Sequence, residues 1–363
     1  MSNPTVIVLA AGEGTRMKSK RSKLLHTIAG RTLLAHAIDA VEPLEPERLM
    51  VVVGHQCADV VAQLGMIAPY AATVLQPELR GTGDAVRVAL EALDATLEVS
   101  GDVVVTMGDV PLLQGAVLID MVTQHRAIGA AVSVMSATVD NPAGYGRVVR
   151  VGERVARIVE HRDASEAELA ITEINAGVYV FDARLLRNWL SQLTTENSQA
   201  QFYLSDVIEL AVAAGETVVA YLNPDWWQTA GVNDRTQLAR LAAEYNRRVV
   251  NQWMLAGVTV LDPATTWIDA DVDIASDVTL LPGVELHGAS SIAADAVIGP
   301  YTTLKSCEVG QRARVVRVHA ELAEIGGDAR VGPFVELKPG DIVAAGQRVS
   351  AAPNVTAPPP TIR

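Results

Sequence analysis

The chain has 363 residues, 49% of them hydrophobic, a mean hydropathy of +0.23 and a formal net charge of −13. That length accommodates two domains, and the acidic balance argues against nucleic acid or an anionic membrane as the main partner, since either needs a basic footprint. No apolar stretch reaches the roughly 18 residues of a membrane span, and Cys57 and Cys307 stand far apart with no Cys or His at metal-ligand spacing nearby, so neither a disulfide framework nor a zinc site is expected.

The opening Met-Ser-Asn-Pro lacks a cationic stretch. The apolar run 5–11 reads as a buried first strand and not as a signal-peptide core, which points to the cytoplasm. Up to about residue 230, apolar β-type runs (6–9, 50–53, 72–75, 103–107) alternate with helical patterns (33–41, 84–93). That alternation predicts a mostly parallel sheet covered on both faces, with ligands at the carboxyl ends of its strands. Residues 234–256 carry Leu238, Leu241, Tyr245 and Val249 at helical spacing and read as a linker helix. Beyond Gly257 the period changes. Ile274, Leu280, Leu286, Ile292, Ile298 and Leu304 stand six apart, and the series resumes at Ile325, Val331, Leu337, Val343 and Val349. Six-residue spacing with Gly, Asp and Pro between predicts a parallel β-helix over 257–352, with a bulge or inserted loop where the series slips. The proline-rich stretch 353–363 cannot pair in a sheet and is expected to be a disordered tail.

Two segments carry chemistry. In Leu9-Ala-Ala-Gly-Glu-Gly-Thr-Arg-Met17, a strand runs into Gly12 and Gly14, whose missing side chains let backbone N–H groups approach a polyphosphate, while Arg16 and Lys23 supply cationic donors. A dinucleotide fingerprint would need glycine at position 17, and a phosphate-binding Walker loop would need Lys-Ser or Lys-Thr after the second glycine; both are missing. The second segment, Val103 to Leu112, ends its apolar strand in Gly108-Asp109. A carboxylate there is placed to hold Mg²⁺, which takes one or two protein carboxylates plus phosphate oxygens.

Together with Gln76, Gly81-Thr82-Gly83, Asn141-Pro-Ala-Gly-Tyr-Gly-Arg147, Ile158-Val-Glu160, Glu173-Ile-Asn-Ala-Gly-Val-Tyr179, Phe202-Tyr-Leu-Ser-Asp206 and Gly231-Val-Asn-Asp234, these segments resemble a known family. It is the bifunctional N-acetylglucosamine-1-phosphate uridyltransferase/glucosamine-1-phosphate acetyltransferase family, and the resemblance runs in order through residues 5–250. It implies an α/β fold: a Rossmann-like nucleotidyltransferase domain with a mostly parallel sheet over 1–233, then a short left-handed parallel β-helix of hexapeptide repeats. It also implies UTP-dependent uridylyl transfer to N-acetylglucosamine 1-phosphate. Leu9, Ala11, Gly12, Gln76, Gly81 and Thr82 would hold the nucleotide, joined by Gly14 of the glycine-rich turn. Arg16 and Lys23 would act on the phosphates, Gly144, Glu160 and Asn175 would grip the sugar, and Asp109 and Asn233 would hold Mg²⁺. The expected partners are UTP and a sugar 1-phosphate, with a homotrimer by analogy.

The chain also departs from that family. Ser22 replaces a proline, which would loosen Lys23; Asp84 replaces a common histidine, and Ala176 a threonine beside the sugar site. Lys338 replaces an arginine, and the acetyl-transfer histidine falls beyond residue 363, so acetyl transfer is expected to be absent. His26, His36 and His55 read as structural or surface residues, His287 and His319 as exposed rung residues. The alternatives are a pyrophosphorylase for another sugar 1-phosphate and a catalytically lapsed trimeric scaffold.

Overall fold

The computed structural model describes residues 3–55 and 57–351, so the predicted tail lies outside the described residues. The chain divides into two compact units. One comprises the chain up to Thr27 together with Thr32–Leu241, the other Ile28–Arg31 together with the chain from Ala242. The divide therefore falls inside the helix Arg235–Leu255, and a short turn from near the N-terminus is lent to the second unit.

The first unit is built on a sheet in which Thr5–Ala10 is an interior strand, buried along its whole length. Ile7 and Leu9 join the apolar cluster on one face, Val6, Val8 and Ala10 the cluster on the other. This is why the strand is an unbroken apolar run and does not alternate. It pairs in parallel with Arg48–Val53 and Asp102–Met107, and Ala72–Leu75 extends the same parallel set. Strand Glu173–Asp182 runs antiparallel to both Asp102–Met107 and Val132–Thr138, so the sheet as a whole is mixed. The parallel core brings the loops after residues 10, 53, 75 and 107 to one edge.

The second unit is a parallel β-helix of three stacked strand ladders, with Ile274, Leu280, Leu286, Ile292, Ile298 and Leu304 buried inside. The slip in the hexad series is neither a bulge nor an inserted loop. Leu286 stacks on Leu304, 18 residues on, but Leu304 stacks on Ala320, only 16 on, and Ile325 returns to 18 with Val343. Three residues are missing between Leu304 and Ile325, so the coils that cross this stretch span 16 or 17 residues, and the ladders continue unbroken across them. The three shortened corners turn at Ser306, Arg317 and Leu322, left-handed residues with φ of 49–50°, as the full-length corner at Tyr301 also does. Ala29 O accepts from Ala270 N at 3.0 Å, and Arg31 pairs with Asp271, fixing the lent turn to the first coil. His287 is not an exposed rung residue. It is half-buried between Asp269 and Glu285, and the hydrogen bond to Asp269 raises its pKa above the ordinary imidazole value. His319 is exposed, as expected, and of the two thiols Cys307 is buried and Cys57 half-buried.

Candidate active site

The site grows out of the strand ends. Gly108 N donates to Leu9 O at 2.9 Å, so the loop after Asp102–Met107 lies directly beside the glycine-rich turn. Asp109 is thereby placed against Lys23, and the two form an ion pair with only 11% of the lysine side chain and 14% of the carboxylate exposed. Lys23 opens a short 3-10 turn, Lys23–Leu25. Ser22 before it has φ −53°, an angle proline also adopts, so the lysine keeps its place without the ring. Gly14 has φ +64°, and a Cβ there would fall 2.6 Å from Lys23 Cβ. Its bareness therefore makes room for the lysine stem, whereas Gly12 faces open space.

A cavity of about 270 Å³ opens at this edge. Of the residues predicted to hold the nucleotide, Leu9, Ala11, Gly12, Gln76, Gly81 and Thr82 line it, as do Lys23 and Asp109; Gly14 does not. Thr82 starts the helix Thr82–Asp94, and its hydroxyl accepts from Leu204 N at 3.0 Å. Gly83 N donates to Phe202 O, and Phe202 N to Arg80 O, which ties the 76–83 loop to the 202–204 segment.

Arg16 donates to Asn233 Oδ1 at 2.8 Å. Val232 N donates to Asp109 O at 2.9 Å, so the 231–233 segment runs alongside Asp109. Asp109 and Asn233 thus offer two hard oxygen donors beside one another, each now met by a cation. Among the described residues no group of three or more His, Cys, Asp or Glu could hold a metal ion unaided. Such a sparse set suits Mg²⁺, which takes its remaining ligands from water and substrate phosphates.

The residues predicted to grip the sugar do not line this cavity. Glu160 accepts from Ser205 Oγ at 3.0 Å, and burial raises its pKa. Burial, with Glu160 next in weight, pushes Asp206 up to about 6. Both polar ends of Asn175 are engaged within the fold. Nδ2 donates to the Tyr179 hydroxyl at 2.7 Å and Oδ1 accepts from Gly177 N at 3.0 Å, holding the irregular stretch between Asn175 and Tyr179. Gly144 has φ +86° and open space around it. The link between the two regions is Tyr145, whose hydroxyl accepts from the Gly231 backbone next to Asp109 and whose pKa burial raises. Sequence reasoning gave Tyr145 no role, although its place between Gly144 and Gly146 marked it. Gln201, which lines the cavity, carried no sequence signal.

Comparison with known proteins now decides the family. The nucleotidyl transferase family profile matches residues 5–245. A protein named bifunctional protein GlmU from Paenarthrobacter aurescens is 50% identical over 347 residues, covering 95% of this chain and 70% of that one. The chain belongs to the GlmU family of nucleotidyl transferases. The GlmU of Cutibacterium acnes is 51% identical over 352 residues, with 95% of this chain and 84% of that one covered. A solved structure, a putative glucose-1-phosphate thymidylyltransferase from Bacillus anthracis, matches with a TM-score of 0.55 at 18% identity, over 66% of this chain and 94% of that one. At that identity the match speaks for the fold alone. The GlmU-family chain is therefore a nucleotidyltransferase whose cationic pair and carboxylate sit where its fold gathers the strand ends.

Proposed function

We propose that this enzyme transfers a uridylyl group from UTP to N-acetylglucosamine 1-phosphate, giving UDP-N-acetylglucosamine and pyrophosphate. The observation that carries the reading is the Lys23–Asp109 pair at the mouth of a cavity lined by the glycine-rich turn, with Arg16 on Asn233 beside it. Kinship with proteins named GlmU supports the choice of substrates. A sugar phosphate, with a second pKa of about 6, is largely dianionic at neutral pH and needs no protein base to attack the α-phosphorus. The obstacle is repulsion between anions. Lys23 and Arg16 would exchange their present oxygen partners for phosphate oxygens and stabilise the charge that develops on pyrophosphate. Asp109 and Asn233 would hold Mg²⁺, which when bound supplies positive charge to the phosphates. Glu160, through its carboxylate, and the backbone at Gly144 would orient sugar hydroxyls and amide. Asn175 would act by holding the Asn175–Tyr179 stretch that backs them, since its side chain is already engaged.

We assign no acetyl transfer to the described residues: His287 is held between two carboxylates and His319 stands on an open rung. The β-helix is read as the trimerising element, and the site of action as the cytoplasm; among the described residues no helix is long and apolar enough to cross a membrane. Light scattering should give three times 38.5 kDa.

The test is pyrophosphate release with Mg²⁺, UTP and a panel of sugar 1-phosphates, run beside Asp109→Ala and an assay of acetyl-CoA consumption. Turnover confined to N-acetylglucosamine 1-phosphate and lost in the variant is the expected result. Turnover with another sugar would reassign the substrate, and none at all would leave a lapsed scaffold.

A further inference from the structure

Asp84 is the departure for which the reaction provides no use, and it lies directly behind the cavity. It is 2% exposed, and its Oδ2 accepts from Gln76 Nε2 at 2.9 Å. Gly81 O accepts from the same nitrogen at 3.1 Å, so both hydrogens of the Gln76 amide are spent on oxygens that have none to give. Arg87 pairs with the other carboxylate oxygen, Oδ1, and Arg80 lies 3.8 Å from it, which pins Asp84 from the far side. Gln76 is itself buried and lines the cavity, and among the described residues no donor is bonded to its Oε1.

We propose that Asp84 is a specificity-determining residue: it fixes the Gln76 amide so that only a carbonyl acceptor faces the nucleobase, selecting a base with a ring N–H, such as uracil, over cytosine. The inference rests on reading this cavity as the nucleotide site. An amide contacted by two acceptor-only oxygens has one acceptable orientation, because the flipped form would set Oε1 against both. Uracil N3–H then finds an acceptor. Cytosine N3 brings a lone pair to the same atom, leaving two buried acceptors with no hydrogen between them, the kind of mismatch that rejects a ligand most strongly. A histidine at this position could give or take a hydrogen bond, and would leave Gly81 O alone to hold the amide; a carboxylate adds a second acceptor-only contact.

The experiment is calorimetric titration of the full chain with UTP and with CTP, each with Mg²⁺, for the unaltered protein, Asp84→Asn and Asp84→Glu. Unaltered protein should bind UTP about 10–100-fold more tightly than CTP. Asparagine can offer a hydrogen as well as accept one, so Asp84→Asn should shrink that ratio about tenfold, while Asp84→Glu, still acceptor-only, should keep it. The ratio does not depend on the folded fraction, and should Asp84→Asn not fold, Asp84→Ser poses the same question through a hydroxyl. An unchanged ratio in the asparagine variant, or an equal loss in both variants, overturns the proposal. UTP binding with no turnover of any sugar 1-phosphate would sink the proposed reaction and leave this inference standing; binding of neither nucleotide would end both.

Discussion

Lys23 owes its position to the space left by Gly14. With φ +64° and Lys23 Cβ 2.6 Å from the site a methyl would occupy, Gly14→Ala must both strain the turn and push the lysine off Asp109. The left-handed strain alone costs about 1–2 kcal/mol, readable by urea unfolding, and the misplaced lysine should lower kcat at least about tenfold. Gly12→Ala meets nothing within 4 Å, so it should leave stability unchanged and weaken UTP binding by intruding on the cavity. Equal losses of stability in the two variants would show that packing of the lysine is not what Gly14 provides. Asp206 makes a pH-dependent prediction. Its pKa is raised from 3.8 to about 6, so its contribution to stability is greatest below the unfolded value and is lost as pH rises through 6. Asp206→Asn should therefore be the more stable protein at pH 7.5 and show no such gain at pH 4. Partial exposure, and the helix N-terminus at Asp206, which favours a negative charge, reduce the gain to about 1 kcal/mol, or 2–4 °C in Tm. Much of this residue-level arrangement was legible: a glycine-rich turn after a strand and an aspartate at a strand end announce themselves. The engagement of Asn175 with Tyr179 and the grip of Asp84 on Gln76 were not, since a hydrogen bond between side chains leaves no periodic trace in sequence.

Among the elements, the β-helix was the easier to read and the easier to misread. Its inward positions recur every six residues because each short strand buries one aliphatic side chain, and that period survives any choice of outward residues. The deficit of one or two residues per coil was read as added chain, because a break in period says only that register has changed and not in which direction. Stacking of Leu304 on Ala320 shows the sign, with alanine standing where a longer side chain would otherwise continue the series. Leu304 is fully buried in the ladder, so Leu304→Ala should cost about 2–5 kcal/mol. Thr303→Ala, on the outward face of the same strand, should change stability by no more than about 0.5 kcal/mol. Comparable losses in the two would mean that the interior of this rung is not close-packed. The sheet of the first unit was read correctly around its parallel centre. Its antiparallel strand Glu173–Asp182 escaped, because strand direction depends on how the chain returns across 139–172 and not on the composition of the strand.

At the scale of the molecule, two separate apolar cores have a thermodynamic consequence. The clusters flanking the sheet contain only residues of the first unit and the β-helix cluster only residues of the second, and every residue lining the cavity proposed for the nucleotide belongs to the first. Chains with more than one core need not unfold in a single step. Calorimetry should resolve two transitions, the one lowered by Leu304→Ala being that of the β-helix. On the proposed function UTP with Mg²⁺ would bind only the folded first unit, so at about 100 times Kd it should add about 2.7 kcal/mol to that unit and raise its transition by about 5–10 °C. The β-helix transition should not move, and Leu304→Ala should bind UTP with unaltered affinity. The helix Arg235–Leu255 is the element through which this independence could fail, since the divide between the units falls within it. Should UTP raise both transitions together, or merge them into one, that helix would be transmitting stability between the cores, and substitutions in the β-helix would then be expected to weaken nucleotide binding.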